Sequence, residues 1–486
     1  MRALNPMSRV CIGGLISAHV AGSPGVARKG GHGMLLERIV SERIAHNSYL
    51  VGSRGEAAVI DPRRDVDAYL ELARARELRI LHVLETHRNE DYVTGSVELA
   101  AATGAHVHHG AAMAFGFGSP LKEGDALKVG GLAIDVLETP GHTPESLSFV
   151  LRDKEVSQEP CIVFTGDALF SGDVGRTDLA GDRERASSRL YESLHGRLLP
   201  LGDGVLVCPA HGAGSVCGGE IADHPLTTIG YERRTNPWLK LDREAFVGRK
   251  VAEHHYRPPY FDKMEELNRA GPPLLRALPL VPPLTPGEVK ALAADGAQLV
   301  DVRDPPGFAG GHVPGSVNIW RAGFSSFIGY VAGYDRPLVL IDDHADHLEQ
   351  LVRQCVRLGY DDLAGHLAGG FAAWCMAGEP VGRVGTWTVK ELDARMGQSD
   401  VFVLDVRDVR ARARDGWVRG SHHIWVGEAE GHLGEVPRDR TVAIYCDSGY
   451  KTSVAASILM RHGHERVANV LGGMVAWKRA GLPVEK

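Results

Sequence analysis

The 486-residue sequence predicts an α/β protein of about three domains, the last two of them built on parallel sheets. Three observations carry that expectation. The length divides into about three units of roughly 100–200 residues. Short apolar runs alternate with helix-periodic segments, which is the pattern of βαβ units. The last part of the chain, about 200 residues, contains one unit twice.

Residues 1–33 place Arg2 and Arg9 ahead of a soft apolar patch at 10–22. They read as a flexible leader with Met34 as the start, a weak export signal being the other reading. AAVIDP (57–62) reads as a buried strand ending in a turn, 65–77 as a helix, and RILHVLETH (79–87) as a strand with His87 at its end. LAIDVLETPGH (132–142), CIVFTGD (161–167) and GVLVCPAHG (204–212) are further strands. Each ends in a polar, ligand-capable residue, which is how sites are built on sheets. His106, His108 and His109 end a predicted strand outside any such pattern and read as surface or half-buried histidines.

A proline-dense stretch, 271–286, continues neither helix nor central strand and reads as a stiff linker. Beyond it, Val300-Asp301-Val302-Arg303-Asp304 returns 104 positions later as Leu404-Asp405-Val406-Arg407-Asp408. GHVPGSVNI (311–319) returns as GWVRGSHHI (416–424), and GGFAAW (369–374) as GGMVAW (472–477). Three anchors in one order at a near-constant offset mean two copies of one domain of about 100 residues. The expected domains are 34–270, 285–381 and 386–486.

A hydrophobic fraction of 44% and a charged fraction of 24% exclude a disordered chain, a coiled coil and a disulfide-framed miniprotein. The net charge of −7 argues against general binding to nucleic acid or an anionic membrane. Seven scattered cysteines, none as CxxC, suit a reducing compartment, here taken as the cytoplasm. No run of 18 apolar residues would span a bilayer.

The strand ends THRNEDY (86–92), TPGHT (139–143), TGDA (165–168) and PAHG (209–212) resemble, in order and context, the metallo-β-lactamase fold, which implies an αββα sandwich. The first motif of that fold is HxHxDH. Here His87 and Asp91 remain, while Asn89 and Tyr92 stand where two histidines would be, so a dinuclear zinc site loses two imidazoles. His87, His142 and Asp167 remain as two imidazoles and one carboxylate, a set that leaves adjacent octahedral positions free and suits non-haem Fe(II). The same triad, with GRTDL (175–179) and ERRTNP (232–237), is similar to the persulfide dioxygenase branch. That resemblance implies one Fe(II) per chain, Zn(II) being the alternative.

Asp91, His211, Asn89 and Tyr92 are read as groups that orient ligands and water from behind, and Asp61 as either such a group or a turn cap. Arg176 and Thr177 read equally as a binder of the carrier's carboxylate or as parts of an internal salt bridge. Cys217, six residues after His211, reads either as a carrier of persulfide or as a buried structural thiol.

The second copy carries YCDSGYKTS (445–453) between a strand and a helix, resembling the active loop of rhodanese sulfurtransferases. Backbone amides and the helix N-terminus there would favour a thiolate at Cys446, Gly449 would permit the turn, and Lys451 would add positive charge. In the first copy Asp342 stands in the cysteine position, Ala345 in the glycine position and His347 in the lysine position, so that copy reads as an inactive spacer or docking domain.

The resemblance implies two α/β rhodanese-like domains after the αββα sandwich. It also implies oxidation by O2 of a low-molecular-weight persulfide of glutathione, coenzyme A or cysteine, giving sulfite or thiosulfate in sulfide detoxification. No nucleic acid or membrane partner is expected, and a homo-oligomer is left open. The competing readings are a zinc-dependent thioester hydrolase resembling glyoxalase II with an appended rhodanese, and a non-catalytic sulfur-trafficking scaffold.

Overall fold

The structure is a computed structural model that describes residues 33–41, 43–179 and 181–486. The leader expected at 1–33 lies, apart from residue 33, outside the described residues. Contacts divide the chain into two compact units, one running to residue 257 with 261–276, the other comprising 258–260 and 277–486.

The first unit holds two six-stranded sheets. One runs in chain order through β1 (Leu35–Ser41), β2 (His46–Ser53), β3 (Glu56–Ile60), β4 (Arg79–Leu84), β5 (His106–Gly110) and β6 (Ser119–Leu121). Helices α1 (Asp67–Ala75) and α2 (Ser96–Thr103) connect β3 to β4 and β4 to β5, whose pairings are parallel. The other sheet contains β7 (Ala126–Val129), β8 (Leu132–Glu138), β9 (Leu147–Asp153), β10 (Ile162–Gly166), β11 (Leu206–Pro209) and β12 (Thr227–Thr228), again in chain order. It is antiparallel except between β10 and β11, which α3 (Arg183–Ser193) connects. Helices α4 (Ile229–Thr235), α5 (Arg243–Val251) and α6 (Phe261–Ala270) follow.

Period-2 alternation assigns each strand face its partner. Tyr49, Val51, Ile60 and Leu84 of the first sheet meet Ile134, Phe149, Leu151 and Phe164 of the second in one buried cluster. The opposite face of the first sheet, with Val59 and Val83, packs on Tyr69 and Leu99 of α1 and α2. Val150, Val163 and Val207 on the far face of the second sheet pack on Leu190 of α3 and Phe246 of α5. Helix, sheet, sheet, helix is the expected αββα sandwich. His109 corrects the sequence reading: HVHHG is strand β5 itself, and His109 is buried, stacked on Phe115 at 4.3 Å.

The second unit contains the two copies, each a five-stranded sheet whose pairs are all parallel. The first copy has β13 (Pro283–Leu284), β14 (Gln298–Asp301), β15 (Val317–Asn318), β16 (Leu338–Ile341) and β17 (Leu363–Leu367), with α7 (Pro286–Ala294), α8 (Pro305–Gly310), α9 (Phe324–Val331), α10 (Leu348–Arg357) and α11 (Gly370–Met376). The second copy has β18 (Gly385–Trp387), β19 (Val401–Asp405), β20 (His422–His423), β21 (Thr441–Tyr445) and β22 (Val467–Val470), with α12 (Val389–Arg395), α13 (Val409–Asp415), α14 (Lys451–Arg461) and α15 (Gly473–Arg479). Both sheets have one strand order, first-fifth-fourth-second-third: β13-β17-β16-β14-β15 and β18-β22-β21-β19-β20. The linker ends earlier than its proline density predicts. Pro283 already pairs in the sheet, and Pro286 opens α7, where a missing N–H costs nothing.

Each repeated anchor does the same work in both copies. Arg303 and Arg407 pair with Asp301 and Asp405 and reach on to the carbonyls of Gly311 and Gly416, tying the first anchor to the second. Trp374 and Trp477 donate their indole N–H to the carbonyls of Pro380 and Pro483, 2.8 Å in each case. Capping boxes open both first helices, Thr285 with Glu288 and Thr388 with Glu391. The second glycine of the GG pair is required by closeness: a Cβ on Gly473 would lie 2.2 Å from the Cys446 carbonyl oxygen.

Candidate metal centre and reactive cysteine loop

His87, His142, Asp167 and His211 come from loops that follow β4, β8, β10 and β11, at one edge of the sandwich, and all four are buried. Their hydrogen bonds assign the ring atoms. Thr86 Oγ1 donates to Asp61 Oδ2 at 2.8 Å, so it accepts from His87 Nδ1 at 2.9 Å. His142 Nδ1 donates to the Arg176 carbonyl at 2.9 Å, and His211 Nδ1 to Asp167 Oδ1 at 2.7 Å. In every case Nδ1 is held as a donor, so Nε2 is the atom turned inward, the orientation that ligating histidines need.

The inward atoms converge. His87 Nε2 and His142 Nε2 lie 3.8 and 3.6 Å from Asp167 Oδ2. His87 Nε2, Asp167 Oδ2, Glu90 Oε2 and Asp91 Oδ1 are buried without a hydrogen-bond partner, while His142 Nε2 and His211 Nε2 face only carboxylate oxygens, of Glu90 and Asp91. Burying so many unpaired polar atoms is costly unless a cation gathers them. Burial pushes His87 down to about 4; at His142 it is outweighed by the Glu90 and Asp167 carboxylates, which raise the imidazole to about 9. The pocket attracts positive charge, and the residues present fit a divalent metal.

Glu90 is the residue that motif reading missed. Its side chain is fully buried, Oε1 lies 3.1 Å from His142 Nε2, and His87, Glu90 and His142 form one potential ligand group. The only signal was an acid inside THRNEDY, in a segment read for the histidines it lacks. Asp61 accepts from the backbone N–H and the hydroxyl of Thr86, so it orients His87 rather than merely capping a turn. Asp91 lies 2.9 Å from His211 Nε2. Asn89 donates to the His87 carbonyl, whereas Tyr92 turns away, its ring tilted by 34° against His46 with centres 3.9 Å apart and its hydroxyl toward the Asp61 carbonyl. Cys217 is buried with Sγ 3.5 Å from Glu90 Oε1, and burial, with the nearby acids, pushes its thiol well above the usual range.

The side chains of Arg176 and Thr177 find partners within the fold. The Arg176 guanidinium is buried, grips Asp178 through Nε (2.7 Å) and Nη2 (2.6 Å), and spends Nη1 on the Val216 carbonyl. Thr177 bonds Ser187. Of the two readings of Arg176, geometry supports the internal salt bridge. Burial would raise the Asp178 carboxyl, but Arg176 holds it at about 2. A carboxyl lowered on folding stabilises the fold above its unfolded value of about 3.9, and that contribution is lost as pH falls toward 2. Arg176→Met should therefore cost about 3–5 kcal/mol by stranding Asp178. The expected result is a lower Tm at neutral pH with substrate KM unchanged; a raised KM at unchanged Tm would return Arg176 to a binding role.

Cys446 follows β21 directly, and Asp342 follows β16 directly; Tyr445 and Ile341 hold the same register against Asp405 and Asp301. The predicted equivalence is thus geometric. Cys446 is buried and accepts the Gly449 N–H at 3.1 Å, Gly449 having the left-handed φ of 100°. Lys451 Nζ lies 3.1 Å from Asp447 Oδ2, so part of its charge is already balanced. In the first copy the nucleophile position holds a carboxylate paired with Arg321, 3.3 Å away.

Residues 42–211 match the metallo-β-lactamase superfamily, and residues 285–377 and 388–480 each match the rhodanese-like domain. The mitochondrial persulfide dioxygenase ETHE1 of Mus musculus is 30% identical over 272 residues, 51% of this chain and 91% of the relative. The hydroxyacylglutathione hydrolase GloC of Haemophilus influenzae is 31% identical over 206 residues, 38% of this chain and 87% of the relative. A solved metallo-β-lactamase from Staphylococcus aureus subsp. aureus COL is 30% identical with a TM-score of 0.63, covering 69% of this chain and 99% of that one.

Proposed function

This chain belongs to the metallo-β-lactamase superfamily, is homologous to the persulfide dioxygenases and carries two rhodanese-like domains, and from that premise we propose that it couples persulfide oxidation to sulfur transfer. The observation that carries the reading is the meeting of His87 Nε2, His142 Nε2 and Asp167 Oδ2 in one buried pocket. One carboxylate and two imidazoles suit Fe(II), which would supply adjacent open positions for a persulfide anion and O2. The reaction is RSSH + O2 + H2O → RSH + SO3²⁻ + 2H⁺, with the outer sulfur oxidised and O2 reduced.

The chain's own contribution is orientation and exclusion of water. Asp61 through Thr86, and the Arg176 carbonyl, aim the two imidazoles. His211 holds Asp167 by Oδ1 and leaves Oδ2 free. Burial of the whole set excludes water, which strengthens each of these interactions. The substrate would be a low-molecular-weight persulfide of glutathione, coenzyme A or cysteine.

At Cys446 the thiolate would attack the outer sulfur of a persulfide RSSH, expelling the carrier as RSH and holding the sulfur as a cysteine persulfide, and sulfite attacking that outer sulfur would release thiosulfate and the thiolate. The Gly449 amide and the start of α14 are placed to favour that anion. The free cysteines among the described residues, Cys446 included, suit the reducing setting of the cytoplasm. No helix of the described residues is long and apolar enough to cross a membrane.

The similarity to GloC favours one other reading, thioester hydrolysis at a zinc centre, in which Asp91, His211 and Cys217 would gather a second ion. Metal content of anaerobically purified protein, with O2 uptake on glutathione persulfide, decides between them. One iron per chain and O2 consumption matched by sulfite is the expected result. Two zincs, thioester turnover and no O2 uptake would replace the dioxygenase reading.

A further inference from the structure

Helix α14, which follows the Cys446 loop, has no solvent face: all eight residues from 452 to 459 are buried. A helix covering a parallel sheet normally buries one stripe. Its counterpart α10 keeps an exposed side, where Glu349 and Arg353 pair in solvent. The positions equivalent to Glu349 and Arg353, 104 residues on, are Ser453 and Ser457. Both serines are buried, and both bond to Asn318 of the first copy: Ser453 Oγ donates to Asn318 Oδ1 at 2.5 Å, and the Asn318 backbone N–H donates to Ser457 Oγ at 3.1 Å.

The repeat shows what is unusual about Asn318. It lies opposite Asp301, as His423 lies opposite Asp405. His423 Nε2 bonds the Arg407 carbonyl; Asn318 Nδ2 donates to the equivalent Arg303 carbonyl and to that of Asp301, both at 2.9 Å. An amide thus does the histidine's local work and keeps an oxygen for the neighbouring copy. Two residues on, Trp320 packs on Tyr450 of the Cys446 loop, ring centres 5.2 Å apart.

We propose that the copy lacking the cysteine is a positioning domain for the reactive loop, with Asn318 as the positioning residue that sets the first turn of α14. The path is short. Thr452, beside Ser453, has its hydroxyl 2.7 Å from the Gly449 carbonyl, and the Gly449 N–H faces Cys446 Sγ. A displacement of the first turn moves the amide that favours the thiolate, so the first copy tunes the nucleophile without touching substrate. The proposal rests on the sulfurtransferase reading of Cys446.

The test uses the full chain and three variants: Asn318→Ala, Ser453→Ala and the double variant. Each is measured for thiosulfate:cyanide sulfur transfer and for the pH profile of iodoacetamide modification of Cys446, followed on its own peptide by mass spectrometry. A lost buried hydrogen bond translates into about a fivefold to tenfold fall in kcat, with KM for thiosulfate little changed. The modification profile should move to higher pH in each single variant. The double variant should be no worse than Asn318→Ala, because the bond that Ser453→Ala removes is already gone there, while Asn318→Ala also gives up its bonds to the Asp301 and Arg303 carbonyls. Additive losses, or an unmoved profile with only a lower Tm, would overturn the proposal. If the unaltered protein transfers no sulfur, the sulfurtransferase reading fails, while the modification profile still reports positioning; Ser453→Ala, a change to a good helix former, guards against an Asn318 variant that does not fold.

Discussion

His142→Ala should leave the protein folded, nearly free of iron and without measurable O2 uptake on glutathione persulfide. The size of the effect follows from what the side chain does. A group behind a ligand is worth about 10–100-fold in metal affinity or activity, and in the proposed centre His142 would be a ligand itself, its Nδ1 held by the Arg176 carbonyl and its Nε2 3.6 Å from Asp167 Oδ2. Loss of more than a hundredfold is therefore expected. Iron per chain by elemental analysis and O2 uptake in an electrode cell measure the two consequences separately. Full iron with lost activity would make His142 a group acting on substrate, and full retention of both would leave the persulfide dioxygenase reading without its centre. Sulfur transfer at Cys446 should persist in the same preparation, which also controls for folding.

Cys446→Ser gives the complementary result: sulfur transfer from thiosulfate to cyanide falls to background, while iron content and O2 uptake stay at the level of the unaltered protein. The magnitude is total because a hydroxyl at ordinary pKa neither ionises near neutral pH nor holds sulfane sulfur. Neither Cys355 nor Cys375 can substitute: both lie in helices, α10 and α11, away from the loop position where the first copy has Asp342. Sites this far apart in mechanism should give additive variants. Loss of O2 uptake in Cys446→Ser would mean that the two chemistries share an obligatory sulfur-transfer step.

The fold was legible where the pattern is periodic or repeated. Alternating strand runs such as 57–62 and 161–167 appear where expected, and the repeat offset of 104 reappears as identical register at Asp301–Ile341 and Asp405–Tyr445. Boundaries were less legible at the linker, since proline density marks both an irregular stretch and the first turn of α7, and only the pairing of Pro283 with His366 separates them. His109 misled for a related reason: a polar residue at the end of a short run gives no sign of the aromatic face that Phe115 later covers.

Composition and spacing were enough to establish the α/β class, the duplicated domain, the two imidazoles and carboxylate at successive strand ends, and the contrast between Cys446 and Asp342. These follow from local chemistry: apolar period, turn residues and donor types can be read one segment at a time. Only the packed chain placed Glu90 beside the two candidate ligand histidines, turned Arg176 onto Asp178 and brought Asn318 against Ser453. Those pairings join residues whose individual propensities are indifferent to one another. What selects them is that a buried charge or amide must find a partner, and which partner lies within reach is decided when distant segments close around it.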